Sequence, residues 1–167
     1  LLYKWVMPAF VCVLYETLMY FLAKGVCNII VCSHMVKIQF RNKAHIDFVF
    51  ENLEKCRHND CYHQAFFYVM GISEETRMNI GKMFDFKNDC IVPEGMYGGW
   101  QTSGTVKVCH LAFNLWNGFT EEGKENLFTP DELFCCGYAP YFMEGIKLRY
   151  PEYCRDLTPP KRKDMER

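Results

Sequence analysis

The sequence predicts an all-α fold: a single compact domain of about five or six helices, with a loop-rich segment before the central one. Three observations carry this reading. Apolar residues recur at spacings of three and four through most of the chain, the pattern of a helix with one buried face. Capping residues precede these runs, and glycine or proline closes them. The one β-prone stretch, Cys90 to Val92, has no other strands with which to build a sheet, so only a short hairpin or a lone strand is expected there.

The elements follow in chain order. From Trp5 to Ala23 the sequence is almost wholly apolar between Lys4 and Lys24, about the length that spans a bilayer. Glu16 near its middle and Pro8 near its start oppose that reading. Composition changes abruptly at Met35. Residues 1–34 are therefore read as an apolar extension, an upstream extension of the reading frame in preference to a membrane anchor. Residues 35–154 are read as the helical domain, expected to fold from Met35, and residues 155–167 as a flexible tail.

Within the domain, Asn42 caps a helix whose apolar face is Ile46, Val49, Phe50 and Leu53. Asn59 or Asp60 caps the next, with Tyr62, Ala65, Phe66, Val69 and Met70 apolar and Gly71 as its stop. Ser73 opens a third, running to about Phe84, with two early glutamates that complement the positive helix end. After a polar, glycine-rich connection comes the densest stretch, Trp100 to Gly118. Thr102 or Ser103 is its N-cap, and Val106, Cys109, Ala112, Phe113 and Trp116 form its stripe. Asn117 and Gly118 end it. This helix is expected to be nearly buried, with the others packed around it. Thr129-Pro130-Asp131-Glu132 starts a short helix, and a longer one runs from Ala139 to Arg149. Tyr150-Pro151 closes it, because the residue before proline avoids helical geometry.

Composition excludes several function classes. With 14 Phe, 10 Tyr and 3 Trp among 167 residues the chain is far too aromatic for disorder. A formal net charge of −1 gives no overall field for holding a phosphate backbone, so nucleic acid is disfavoured as a partner. The ten cysteines are scattered, several of them in apolar helical patterns, which fits reduced thiols in a cytoplasm better than a secreted disulfide framework.

Four constellations could carry chemistry. Cys56, His58, Cys61 and His63 supply four zinc-type ligands in eight residues. Their spacing is unlike the usual knuckle, and a helix starting near Asn59 turns Cys61 and His63 apart, so no metal site and no cofactor is expected. Cys135 and Cys136, with His110 as base, lack an oxyanion donor and read as small apolar fillers. Thr102, Ser103, Gly104, Thr105 and Lys107 could receive an anion at a helix start, but lack the glycine pattern of a phosphate loop. Asn114 and Asn117 share a helix face and are read as ties to a neighbouring loop, such as residues 98–101.

The words Trp-Gln-Thr-Ser at 100–103, Leu-Ala-Phe-Asn-Leu-Trp-Asn-Gly at 111–118, Phe-Cys-Cys-Gly-Tyr-Ala-Pro-Tyr-Phe at 134–142 and Ile-Lys-Leu-Arg-Tyr-Pro-Glu-Tyr-Cys at 146–154 resemble a small bacterial family of unknown function, found mainly in Gram-positive anaerobes. The resemblance runs from about Met35 to Cys154. It implies a small intracellular protein without residues 1–34, transfers no catalytic residues, and does not include Cys56, His58, Cys61 or His63 in its motif. An interaction or regulatory module is the function expected, acting through Trp100, Thr102, Ser103, Lys107, Asn114, Trp116, Asn117, Tyr138, Tyr141 and Arg149. The expected partner is a protein, with a small anionic ligand second and a membrane only if residues 1–34 are an anchor. The alternative is a small enzyme or ligand-binding protein with a pocket lined by Trp100, Trp116, Tyr138 and Tyr141. The core reading of Trp116 predicts a loss of about 3–5 kcal/mol on truncation to alanine, and Lys107→Ala is predicted to be nearly neutral.

Overall fold

In the computed structural model, which describes residues 26–31 and 34–154, an antiparallel hairpin leads: β1 (Val26–Val31) pairs with β2 (His34–Gln39), Val26 opposite Gln39 and Val31 opposite His34. Then come α1 (Lys43–Leu53), α2 (Cys61–Gly71), α3 (Glu74–Met78) and α4 (Ile80–Met83). A minimal hairpin of β3 (Phe84–Asp85) and β4 (Cys90–Ile91) and a 3-10 turn at Pro93–Met96 lead into α5 (Ser103–Asn117). A second 3-10 turn at Glu125–Phe128, then α6 (Pro130–Phe134) and α7 (Ala139–Arg149), complete the domain. The architecture is mostly helical, as the sequence predicts. The stretch Cys90 to Val92 finds its partner in Phe84–Asp85, and the helix expected after Ser73 breaks at Asn79 into two. The apolar stretch Trp5 to Ala23 and the tail beyond Cys154 lie outside the described residues. Among the described residues no helix is long and apolar enough to cross a membrane.

The centre is α2 rather than α5. Every residue of α2 except Tyr62 is buried, and the helix packs against α1, α5 and α7 at once. A helix apolar all round has no solvent face to give it a moment, so periodicity alone does not reveal its place. Helix α5 buries one broad face, Thr105, Val108, Cys109, His110, Leu111, Ala112, Phe113 and Leu115, and leaves Val106 and Trp116 half-buried at its margin. The expected stripe is thus rotated toward Val108 and Leu111.

Helix ends follow the sequence closely. Asn42 accepts from His45 N at 2.9 Å, and Asp60 accepts from Tyr62 N and His63 N at 3.0 and 3.1 Å. Thr102 and Thr105 exchange backbone and side-chain bonds in a capping box. Gly118 ends α5 with φ 75° in the left-handed region. Thr129 differs. Its hydroxyl donates to Asn126 O at 2.8 Å and makes no side-chain cap on α6.

Gly71 is not the stop expected of it but the last turn of α2, in close contact with α1. A Cβ there would lie 2.4 Å from His45 Cδ2 and 3.0 Å from Phe48 Cδ1. The His45 ring cannot yield, because both nitrogens are engaged. Arg41 N–H donates to Nδ1 at 3.3 Å, which leaves the proton on Nε2 to be donated to Tyr68 O at 2.6 Å. Gly71→Ala is expected to cost about 1–3 kcal/mol in urea unfolding, the overpacking outweighing the helix propensity gained. Gly81→Ala, with nothing within 4 Å of the new methyl, is expected to be neutral or slightly stabilising.

Burial, which outweighs the hydrogen bond from its ring to Tyr68 and is aided by nearby Arg77 and Arg41, lowers the His45 imidazole from 6.5 to about 4. Between those values the unfolded chain binds a proton that the folded chain refuses, so stability falls as pH drops from 6.5 toward 4. The expected loss attributable to His45 is about 3 kcal/mol. It is read as the difference in pH dependence of unfolding between the natural chain and His45→Gln, and equal slopes for the two would contradict it.

Candidate functional site

The start of α2 and the end of α7 meet at the surface, and the meeting is organised by one guanidinium. Arg149 Nε donates to Leu115 O of α5 at 2.8 Å, satisfying a carbonyl that the end of that helix leaves open. Its NH1 reaches Cys61 Sγ at 3.8 Å. Its Cζ stands 3.8 Å from the Tyr62 ring centroid and 4.7 Å from that of Tyr150. Tyr62, expected on the apolar face of its helix, is 41% exposed, and Tyr153 beside this stack in sequence is 81% exposed. The result is one guanidinium in cation–π contact with two tyrosine rings and anchored to backbone through Leu115 O.

On the other side of the same helix start, His63 turns inward. Residues 54–60 and the β3–β4 loop close over it, held by Arg57 NH2 donating to Lys87 O at 2.7 Å. Cys56, His63 and Asp89 each offer one ligand atom, and these atoms lie within 4.8 Å of one another. They are the residues able to hold a metal ion. Of the quartet read from the sequence, Cys61 points away, toward Arg149. Asp89 takes its place from a loop that no local spacing could connect with it. Burial pushes the Asp89 carboxyl up, but the hydrogen bond from His58, the nearness of His63 and the Arg57 backbone N–H together hold it below its ordinary value.

The other candidate residues do not converge. Trp116 packs edge-on against His63, Phe66 and Phe84, with centroids 4.7, 5.7 and 5.4 Å away. Tyr138 lies over Gly104 at the opposite end of α5 and faces Arg41 at 5.3 Å. Twelve residues of helix separate those ends, about 18 Å, so Trp116 and Tyr138 cannot line one pocket. Trp100 is half-buried over Gly98, and Tyr141 is half-buried on α7 against the core.

Of the anion-receiving residues, Thr102, Thr105 and Lys107 have internal partners. Thr102 is bonded to Thr105, and the exposed Ser103 stands beside them. Lys107 Nζ pairs with Glu132 Oε2 at 2.8 Å and also donates to Glu132 O, a bond that holds the ammonium above and the carboxyl below their ordinary values. Asn114 Nδ2 donates to Phe119 O at 3.2 Å and Asn117 Oδ1 accepts from Phe119 N at 3.1 Å, so both amides tie down the residue just past the helix and not residues 98–101. His110 stacks on Phe128 at 4.5 Å and burial lowers its imidazole, while Cys136 Sγ donates to Leu133 O. Among the described residues no hydrogen bond links that histidine to the cysteine pair.

Two outcomes follow for stability. Trp116→Ala is expected to cost about 2–3 kcal/mol in urea unfolding, less than a fully buried tryptophan, because the ring is half-buried against three aromatic partners. Lys107→Ala is expected to lower the melting temperature, because it removes the bridge between α5 and α6 and leaves the Glu132 carbonyl without its ammonium donor.

No curated protein and no solved structure matches the chain. A family model matches residues 35–162, which is most of the domain just described and more than half of the chain. The chain belongs to the family of unknown function DUF6075.

Proposed function

We propose that this domain is an interaction module of the bacterial cytoplasm, whose contact face is built on Tyr62, Arg149, Tyr150 and Tyr153. The observation that carries the reading is the Arg149 guanidinium in cation–π contact with two partly exposed tyrosine rings. Tyrosine and arginine are enriched among the few residues that dominate binding energy at interfaces. Their usual penalty is the ordering of long side chains on association. Here the ordering is already done in the free molecule, since Leu115 O fixes the guanidinium and the guanidinium fixes the rings. The face carries no nucleophile and base set, which favours recognition over chemistry, and its planar rings and single positive charge suit a protein surface with an acidic or carbonyl-rich edge.

The test is site-specific photocrosslinking from position 153 of the full chain in its host cells. One dominant protein adduct is expected, lost in a Tyr62→Ala, Tyr150→Ala variant that retains the helical circular dichroism of the natural chain. An adduct unaffected by that pair of substitutions, or none at all, would overturn the proposal.

A further inference from the structure

The inward side of the α2 start carries an arrangement that the aromatic face does not use. Asp60, the N-cap of α2, holds His63 by its ring as well as by its backbone: Oδ1 lies 2.8 Å from Nδ1 and 3.1 Å from His63 N. In the neutral ring, a carboxylate at Nδ1 places the proton there and gives Nε2 the lone pair that a metal takes. That Nε2 is buried and has no hydrogen-bond partner, although Asp89 Oδ2 stands 3.3 Å away out of line. Asp89 Oδ1 is likewise buried and without a partner. Both side chains are nine-tenths buried or more, at 5% exposure for His63 and 6% for Asp89. Cys56 Sγ completes the triangle, and His58 Nδ1 lies 2.9 Å from Asp89 Oδ2 at the solvent edge, its side chain 67% exposed.

A lone pair and a carboxylate oxygen, both buried and without a partner, favour a positive charge between them, and the half-buried Cys56 thiol, whose Sγ also reaches Asn52 O at 3.2 Å, lies at their side. We propose that Cys56, His63 and Asp89 form a zinc site, with His58 closing its fourth, solvent-facing position. The mixed sulfur, nitrogen and oxygen set suits a borderline ion such as zinc and not the all-oxygen shells of calcium or magnesium. Zinc at about 2.0–2.3 Å from each ligand puts the ligand atoms about 3.3–3.8 Å apart in a tetrahedron. The three atoms already stand within 4.8 Å, a gap that side-chain rotation covers. Asp60 is then the outer carboxylate that orients a zinc-bound imidazole through its far nitrogen. Burial and the Asp89 charge push the Cys56 thiol up to about 12, so binding breaks its S–H bond, the proton leaves to water, and a sulfur–zinc bond forms.

The experiment titrates the full chain, reduced and metal-free, with cobalt(II) as a spectroscopic stand-in and then with zinc. One equivalent of cobalt is expected, with tetrahedral ligand-field bands and a charge-transfer band of a single thiolate, both displaced by zinc. Cys56→Ser should abolish the charge-transfer band and Asp89→Asn should lower the zinc affinity at least about 10-fold, while Cys61→Ser and a Cys135→Ser, Cys136→Ser pair should leave both unchanged. Asp60→Asn keeps a good helix cap and should weaken zinc binding by about 10–100-fold. Failure of the natural chain to bind an equivalent of either ion, or a thiolate band that survives Cys56→Ser or disappears with Cys61→Ser, would overturn the site. Neither readout depends on the aromatic face, so the two proposals stand or fall separately.

Discussion

Helix α2 has only one residue in water, and that constraint dictates the remainder of the domain. Ten of its eleven residues are buried, so each side of the helix needs its own cover: α1 on one, α5 on another, α7 on a third. The β3–β4 hairpin closes the aromatic end, where Phe84 stands 5.4 Å from Phe66 and 4.9 Å from Phe67. Offset and edge-on ring contacts continue outward to Phe113, Phe86 and Trp116, so the core is largely a lattice of aromatic pairs. Backbone groups inside it are met by a small number of polar side chains, among them His45 at Tyr68 O and Thr76 at Met70 O.

The cations are spent in the same cause. Arg41 donates to Ile72 O, Arg77 to Gly71 O, Arg149 to Leu115 O, Lys107 to Glu132 O and Arg57 to Lys87 O. These carbonyls lie in turns or near helix ends, where backbone acceptors are left open and a positive charge meets the negative pole of the helix. Such use takes five of the 19 Lys and Arg into the fold, and engages Lys107 with Glu132 at the helix start where its sequence position invites an anion.

Much of this was legible in the residues. The caps at Asn42, Asp60 and Thr102 and the left-handed stop at Gly118 depend on contacts within four residues, and local chemistry suffices to place them. The rank of the helices was not legible. Helix α5 has the clearer periodicity because one face is wet, whereas α2 is the more buried because almost none of it is, so the strength of the pattern does not rank the helices by burial. Cys61 and His63 diverge as their helical spacing requires. Asp89 could not be found by spacing, since a turn after a two-residue strand brings it to His63 from a separate segment. Gly71 carried a true signal with a second meaning: a missing side chain can serve contact as well as chain reversal. The Arg149 stack drew on Tyr62, a residue whose helical position suggested core and whose neighbours in space left it outside.

The β3–β4 ladder is two residues long on each strand, too short to persist by its own hydrogen bonds. Its loop is organised by Asp85, whose carboxylate accepts from Lys87 N and Asn88 N, and Asp89 adopts φ 58° as the chain turns back. The approach of Asp89 to His63 therefore closes a ring of about 26 residues of chain, and any attraction across that gap acts as a cross-link that reduces the freedom of the unfolded ensemble as well as binding the folded one. Arg57 at Lys87 O, His58 at Asp89 and Phe84 against Phe66 and Trp116 span the same gap. The hairpin and the helix start thus become one cooperative unit for local opening, so amide hydrogens at Phe84, Cys90 and Tyr62 should exchange together.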